Sequence, residues 1–345
     1  MTVGRRIRVL VVDDSAFARK VLRESLGKSP ELEVVGFARD GLDALEKVSE
    51  LKPDVITLDL IMPELDGMGV LHALQSIPGA PAVVIVSMAD GDAELGVAAL
   101  AAGAFDLVHK PTALALDRLY ELGDELVRKV IAASGVAPRP TPASARAVDP
   151  AAPLAATHTS MVVLGASTGG PHAVTGLLRA LPKSFPVPIA IVLHLPVGFT
   201  DAFARRVDAE CALSVVEARQ GLLFEAGTVV IARAGIHLRV CARAGGWVAD
   251  LGVAPFDSPH RPSVDVLFES AAEHVGKRTL GVVLTGMGND GLRGSRAIHA
   301  AGGRILTEAE SSSVVYGMPR CVFEDGIALA EAPIEHMAEL ILAQL

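Results

Sequence analysis

Through residues 7–130, short apolar runs alternate with stretches whose apolar residues are three and four positions apart. The short runs predict strands, and the longer amphipathic stretches predict helices between them. The predicted strands are Arg8–Val12, Leu32–Ala38, Val55–Leu58, Ala82–Ser87 and Ala104–Val108, and the predicted helices are Ala16–Leu26, Gly41–Leu51, Gly67–Ile77, Ala93–Ala101 and Leu114–Ser134. This five-fold βα repeat predicts a doubly wound parallel sheet with right-handed crossovers.

A second α/β series follows a stretch that is rich in proline, alanine and serine. That stretch has no hydrophobic periodicity and predicts a linker over residues 131–158, semi-extended where proline is dense. From Thr159 onward, strands are predicted at 161–165, 188–193, 213–216, 228–231, 279–284 and 304–306, with a β-rich insert near 236–250. The length of 345 residues also favours two domains. We therefore predict two doubly wound parallel-sheet α/β domains, residues 1–130 and 159–345.

Composition narrows the class of protein. Half of the residues are apolar and the formal net charge is −9, which argues against nonspecific binding to nucleic acid or to anionic membranes. No apolar stretch approaches the roughly 20 residues that span a bilayer. The first apolar run is interrupted by acidic residues, which argues against a signal peptide. Three widely spaced cysteines, Cys211, Cys241 and Cys321, predict reduced thiols rather than a zinc site. The composition thus favours a cytoplasmic protein.

The hexapeptide GASTGG at residues 165–170 closes an apolar run and opens an amphipathic one. A serine at such a strand-to-helix turn presents its side chain at the carboxyl end of the sheet, beside the free N–H groups of the new helix. Glycine-rich turns of this kind also bind phosphate in nucleotide and dinucleotide sites. A dinucleotide site favours Asp or Glu at the end of the next strand, whereas that position is His194, which suits the base of a serine hydrolase. Ser167 is therefore the predicted nucleophile.

The acid that orients His194 is predicted to lie in the loop after the strand at 279–284. Asp290 is the first acid in this glycine-rich loop, and the N–H groups of Met287 and Thr168 are predicted to form the oxyanion hole. Asp265 is the competing acid. Three other histidines compete for the role of the base: His172, His237 and His260. The order Ser, His, Asp differs from that of α/β hydrolases and predicts a different topology.

The segment HRPSVD, residues 260–265, is a second polar cluster. Its Ser263 predicts a helix N-cap before residues 264–272. Its Arg261 is a candidate for the lining of the site.

Polar residues also follow the strands of the first half. Asp13 and Asp14 follow the first strand and Asp59 the third, so a parallel sheet brings three carboxylates together, a cluster that suits Mg²⁺. Ser87 and Lys110 end the fourth and fifth strands. Each residue alone is commonly a turn or cap residue, but their order along four strands predicts a site that accepts a phosphoryl group.

On these motifs the first half resembles a response-regulator receiver domain with a flavodoxin-like fold. The resemblance implies that Asp59 is the phospho-acceptor and that Ser87 and Lys110 bind the phosphoryl oxygens. Mg²⁺ would be held by Asp14, Asp59 and the Ile61 carbonyl, with Asp13 supporting them. Receivers usually carry an aromatic residue three positions before the lysine, and here that residue is Leu107.

The second half resembles the catalytic domain of the chemotaxis protein-glutamate methylesterase (CheB) family, which implies a Rossmann-like three-layer fold. The resemblance rests on GASTGG, on HLPVGFT at 194–200, on HRPSVD, on LTGMGNDG at 284–291 and on SVVYGMPR at 313–320. It places the family's triad on Ser167, His194 and Asp290. The sequence departs from the family at Leu193, at residues 232–235 and at residues 256–258, which leaves specificity more open than chemistry.

Together the resemblances imply an enzyme of chemotaxis adaptation whose esterase domain needs no cofactor. It would hydrolyse glutamate 5-methyl esters on chemoreceptor helices, release methanol and also deamidate glutamines. A histidine kinase would phosphorylate Asp59 with Mg²⁺, and the unphosphorylated receiver is expected to cover the catalytic site. The alternative is a receiver-linked binding protein whose esterase domain has lost activity.

Overall fold

The computed structural model describes residues 5–87, 89–110, 118–135 and 159–345. The chain divides into two compact units, Met1–Pro140 and Thr141–Leu345, which are described separately. In the first unit the strands are β1 (Ile7–Val12), β2 (Leu32–Ala38), β3 (Val55–Leu58), β4 (Ala82–Ser87) and β5 (Asp106–His109), and the helices are α1 (Ala16–Leu26), α2 (Gly41–Leu51), α3 (Gly67–Leu74), α4 (Ala89–Ala101) and α5 (Arg118–Ser134).

The sheet of the first unit is wholly parallel, in the order β2-β1-β3-β4-β5. Its central strands β1, β3 and β4 are mostly apolar and mostly buried because helices cover both faces of the sheet. Three helices begin at a polar N-cap: Ser15, Asp40 and Asp66 each accept a backbone N–H of the first turn. The chain reverses between β1 and β3, so the ends of these two strands border the crevice where ligands of such sheets bind.

The second unit contains a larger parallel sheet and a hairpin. Its strands are β6 (Met161–Ala166), β7 (Ile189–Leu193), β8 (Ser214–Glu217), β9 (Thr228–Ile231), β10 (His237–Arg243), β11 (Gly246–Gly252), β12 (Thr279–Val283), β13 (Arg304–Glu308) and β14 (Ala330–Ala332), and its helices are α6 (Gly170–Ala180), α7 (Thr200–Glu210), α8 (Val264–His274), α9 (Leu292–Ala300), α10 (Met318–Glu324) and α11 (Ile334–Leu342).

The parallel sheet has the order β14-β13-β12-β6-β7-β9-β8, and the antiparallel pair β10 and β11 is the predicted insert. Strand β6 lies between β12 and β7, so the loops after these three neighbouring strands meet at one edge. The hairpin is fastened to α8, since Trp247 donates to the His274 carbonyl and the Val240 N–H donates to the Ser270 hydroxyl. The loop after β11 therefore returns to α8 beside that edge.

The predicted α/β architecture is confirmed, with differences at the element ends. Helix α5 ends at Ser134, as the helical pattern predicted, so residues 131–134 belong to the helix and not to the linker. Residues 136–158 of the predicted linker lie outside the described residues. Strand β14 was not predicted. In the described part of the chain, no helix is long and apolar enough to cross a membrane, and all three cysteines are unpaired.

Candidate active site

Ser167 lies in the turn between β6 and α6. Gly169 caps the helix with a φ of 78°, and a Cβ there would lie 2.5 Å from the Cβ of Val314, so the turn requires glycine for two reasons. The Ser167 N–H donates to the Thr285 carbonyl at 3.0 Å. Gly286 lies directly against the serine, since a Cβ on Gly286 would be 2.8 Å from the Ser167 Cβ. The nucleophile candidate is thus held between its own helix and the loop after β12.

His194 follows the neighbouring strand β7 and contacts the predicted acid. Its Nε2 atom lies 2.9 Å from Oδ2 of Asp290. Its Nδ1 atom is buried and has no hydrogen-bond partner among the described residues. No hydrogen bond joins the Ser167 hydroxyl to His194 in the described part of the chain; catalytic hydrogen bonds often form only when substrate is bound. The structure thus brings His194 and Asp290 together and leaves one ring nitrogen available.

Asp290 is surrounded by donors at the start of α8. Its carboxylate accepts the N–H groups of Val264 and Asp265, at 2.8 and 3.0 Å, and the Ser263 hydroxyl at 2.9 Å. Burial alone raises the pKa of Asp290, but the bonds from His194 and from these backbone donors outweigh burial and hold the pKa well below its usual value. The carboxylate is therefore ionised at neutral pH, and the His194 Nε2 carries the proton that it donates.

Ser263 is the N-cap residue of α8, as predicted, but its side chain does not cap the helix. Its hydroxyl donates to Asp290 instead, and Asp290 accepts the helix N–H groups that a capping serine would satisfy. A carboxylate from another loop has replaced the local cap because it also interacts favourably with the helix dipole.

The competing acid, Asp265, binds backbone N–H groups of a different helix. Its Oδ1 accepts the N–H groups of Gly291 and Gly294, at 2.9 and 2.8 Å, at the start of α9. Burial raises the pKa of Asp265 despite these two bonds. Asp265 thus caps α9 while Asp290 caps α8, and the described contacts connect only Asp290 to His194.

The other three histidines are also distinguished by their contacts. His237 is buried, accepts the Ser263 N–H at Nδ1 and contacts the Pro255 carbonyl through Nε2, so it is a neutral structural residue, and burial lowers its pKa. His172 is exposed on α6.

His260 stacks on His194, with ring centroids 4.3 Å apart and ring planes inclined by 18°. This stacking could not be predicted from the sequence, because the loop after β11 that carries His260 has no periodicity. Arg261 is exposed beside the same site, with its guanidinium over the Phe256 ring.

The proposed oxyanion donors lie on the two loops that meet at Ser167. Within the described residues, the N–H groups of Thr168 and Met287 have no hydrogen-bond acceptor. The Thr285 hydroxyl bridges the loops, since it donates to the Thr168 carbonyl and accepts the Val315 N–H. Glu308, buried at the end of β13, accepts the Thr285 N–H at 2.7 Å and was not singled out in the sequence. These contacts hold the loop that carries Met287.

The first unit contains the predicted acidic cluster. Asp13, Asp14 and Asp59 offer carboxylate oxygens that all lie within 4.8 Å of one another. The Lys110 ammonium lies 2.6 Å from Asp59 and 2.9 Å from Asp13. Burial raises the pKa of Asp59 although Lys110 opposes it. Burial lowers the pKa of Lys110, but its bonds to Asp59 and Asp13 outweigh burial, so the pKa is raised. Lys110 thus contacts two of the three carboxylates.

The two remaining residues of the predicted receiver site are buried. Ser87 ends β4 and pairs with His109 in the sheet. Leu107, at the position where receivers usually have an aromatic residue, is fully buried in β5. Its carbonyl accepts the buried Lys129 ammonium from α5 at 2.7 Å. This position therefore provides core packing and a polar link to α5.

Comparisons with known proteins agree with both halves. Residues 162–341 match the CheB methylesterase family and residues 9–121 match the response regulator receiver domain. The protein-glutamate methylesterase/protein-glutamine glutaminase 5 of Myxococcus xanthus is 58% identical over 99% of both chains, and the Symbiobacterium thermophilum protein-glutamate methylesterase/protein-glutamine glutaminase is 43% identical over 98% of this chain and 97% of its own. The Thermotoga maritima CheB methylesterase catalytic domain is 36% identical with a TM-score of 0.53, covering 55% of this chain and all of that one. The chain belongs to the CheB methylesterase family and carries a response-regulator receiver domain before its methylesterase domain.

Proposed function

We propose that this protein hydrolyses glutamate 5-methyl esters on chemoreceptor helices, with release of methanol, and deamidates glutamines of the same helices. The observation that carries the proposal is the pair formed by His194 and Asp290, which leaves a buried His194 Nδ1 at the strand end next to Ser167. A binding scaffold that has lost its activity has no need for this arrangement. The names of the full-length relatives support the same activity.

The proton is transferred through Nδ1 of His194. Because Nε2 donates to the ionised Asp290, Nδ1 accepts the proton of the Ser167 hydroxyl as the serine oxygen attacks the ester carbonyl. The C–O bond to the methoxy group then breaks, and Nδ1–H protonates the leaving methanol. Water next gives a proton to Nδ1 as its oxygen attacks the acyl carbon. The C–O bond to Ser167 then breaks, Nδ1–H returns the proton to the serine oxygen, and the glutamic acid product ionises to the carboxylate. With glutamine the leaving group is ammonia and the remaining steps are the same.

The tetrahedral oxyanion is stabilised by N–H groups of Thr168 and Met287. Support comes from the position of Gly286 against Ser167, which places Met287 one residue away, and from the lack of another acceptor for either N–H among the described residues. Donors that are fixed before the reaction stabilise the developing charge without reorganisation.

The receiver accepts a phosphoryl group from a histidine kinase on Asp59. The cluster of Asp13, Asp14 and Asp59 fits Mg²⁺, because its donors are carboxylate oxygens and Lys110 balances only part of their charge. Bound Mg²⁺ would offset the charge of the carboxylates and of the transferred group. Lys110 and Ser87 contact the phosphoryl oxygens. The receiver restrains the methylesterase unit until this phosphorylation occurs, a switch that requires only a few kcal/mol of differential stability.

The activity is tested with receptor fragments that carry glutamate 5-methyl esters labelled in the methyl group. The full chain, treated with a small acyl-phosphate donor and Mg²⁺, should release labelled methanol, and ammonia from the matching glutamine fragments. A full chain that releases no methanol with or without the donor would contradict the proposal.

A further inference from the structure

The strongest contact at the site without an assigned role is the stacking of His260 on His194. The two rings are nearly parallel, with their centroids 4.3 Å apart and their planes inclined by 18°, a stacked arrangement in which the orientation of one ring limits that of the other. His260 is half-buried, and His194 is nearly buried. One face of the proposed base is therefore covered by a flat side chain from the loop after β11.

The hydrogen bond to Asp290 does not by itself fix the ring of His194. Nε2 lies nearer to the axis of the Cβ–Cγ bond than Nδ1 does, so a small rotation of the ring about that bond moves Nδ1 further than Nε2 and can retain the contact with Asp290. The same rotation turns Nδ1 out of the plane in which it can accept the serine proton. A flat surface against the ring face prevents this rotation, since a tilted ring would lose the stacking contact.

The loop that carries His260 is itself held on both sides. The Ser258 hydroxyl donates to the His260 carbonyl at 2.9 Å, and the Gly235 N–H donates to the Arg261 carbonyl at 3.0 Å. Ser263 donates its N–H to His237 and its hydroxyl to Asp290. The loop is thus bonded to the same carboxylate that binds His194. Asp290 therefore holds both the loop that carries His260 and the ring of His194.

We propose that His260 is a positioning residue, whose flat ring holds His194 in the plane that directs Nδ1 at Ser167. The inference rests on the proposed esterase mechanism and extends it. It assigns the effect to the shape of the ring rather than to its nitrogens, which makes it separable from a polar or substrate-binding role.

The test compares substitutions of His260 that keep or remove a flat ring, in the intact chain and in one phosphorylation state. His260→Phe should retain kcat within about threefold, whereas His260→Asn and His260→Ala should lower kcat at least about tenfold with KM within twofold, because a misdirected base slows chemistry more than binding. Added imidazole should restore part of the kcat of His260→Ala. His299→Asn, an exposed histidine near the end of α9, is the matched control and should match the parent. Thermal unfolding should be alike for all four variants.

Three results would overturn the inference: His260→Asn as fast as the parent, His260→Phe as slow as His260→Asn, or a loss confined to KM. Ser167→Ala is measured in parallel. If the parent has no methanol release that depends on Ser167, the esterase proposal fails and this inference fails with it. If the parent is active and the His260 variants behave alike, only the positioning role is wrong.

Discussion

At the scale of single residues, Asp290 combines two functions that usually belong to different side chains. It orients His194, and it satisfies the first N–H groups of α8. The backbone donors keep the carboxylate in one place and ionised, so His194 meets a fixed acceptor. Asp265 makes the complementary contacts to α9 without contacting the histidine.

This difference predicts opposite outcomes for two matched substitutions. Asp290→Asn should lower kcat by about 10⁴-fold, because the amide cannot hold His194 in the required tautomer. Asp265→Asn keeps an oxygen for the two N–H groups of α9, so its kcat should stay within about tenfold of the parent. Methanol release and thermal unfolding are measured for both. The reverse ranking would show that the acid has been assigned to the wrong residue.

Much of the site could be predicted at this scale, because Ser167, His194 and Asp290 follow strands whose carboxyl ends meet in a parallel sheet. The nitrogen of His194 that faces Asp290 could not be predicted, since it depends on side-chain rotation. The hydroxyl of Ser263 could not be placed either, because its partner comes from a loop 27 residues later (290 − 263). The signal for a cap is local, whereas the contact that replaced it is tertiary.

At the scale of elements, close contact between two loops positions the serine. The turn after β6 and the loop after β12 touch at Gly286, which lies against both Ser167 and the Met318 sulfur. The flexible Met318 side chain can move away from an added methyl group, but the Ser167 Cβ is part of a tight turn. Gly286 is therefore required for the position of Ser167, the proposed nucleophile.

Gly286→Ala is expected to reduce kcat by about 10²-fold and the free energy of unfolding by about 1–3 kcal/mol, because the methyl group displaces Ser167. Gly176→Ala is the control: Gly176 is exposed in α6, and a Cβ there meets nothing within 4 Å. That substitution should leave kcat unchanged and stabilise the protein by roughly 0.5–1 kcal/mol. Normal activity in Gly286→Ala would show that the loops are not packed as described.

The element boundaries show where sequence patterns are informative. Strands β3 and β9 begin and end where predicted, because buried strands are short runs of mostly apolar residues. Strand β5 begins at Asp106 rather than Ala104, since the preceding residues are equally apolar but belong to the turn. Strand β14 has three residues at the sheet edge, too few to show a period. Helix α3 ends at Leu74 rather than Ile77.

At the scale of the whole molecule, each unit has its own sheet and its own buried core. The acidic cluster lies in one unit and the proposed triad in the other. The proposed regulation therefore has to pass from the proposed phosphorylation site, Asp59, to the separate methylesterase unit. Because residue 107 is leucine, an aromatic side chain at that position takes no part in it.

Mg²⁺ binding tests the acidic cluster separately from catalysis. Asp14 is exposed, so Asp14→Asn should keep the fold, yet it removes a carboxylate from the cluster and should weaken Mg²⁺ binding at least about tenfold. Glu24→Gln, an exposed acid on α1, should bind Mg²⁺ as the parent does. Titration calorimetry measures both. Equal Mg²⁺ affinity in the parent and in both variants would show that Asp14 does not contribute to the Mg²⁺ site.

Removal of the receiver tests regulation. A fragment beginning near Thr159 contains the whole second sheet, and the catalytic domain of the Thermotoga maritima relative has been solved as a separate chain. The fragment should release methanol faster than the unphosphorylated full chain. Phosphorylation of the full chain should recover much of the difference, and Asp59→Asn should prevent that recovery. A fragment no faster than the intact protein would rule out inhibition by the receiver.

Ser167 is proposed to be the nucleophile of a methylesterase, and methanol release by Ser167→Ala is the most direct test of that role. Ser214→Ala, which changes an exposed serine at the start of β8, is the control and should behave as the parent. Ser167→Ala should lose at least about 10³-fold in kcat, because a triad nucleophile has no substitute, while its thermal unfolding is unchanged. Methanol release by folded Ser167→Ala within about tenfold of the parent would show that Ser167 is not the nucleophile.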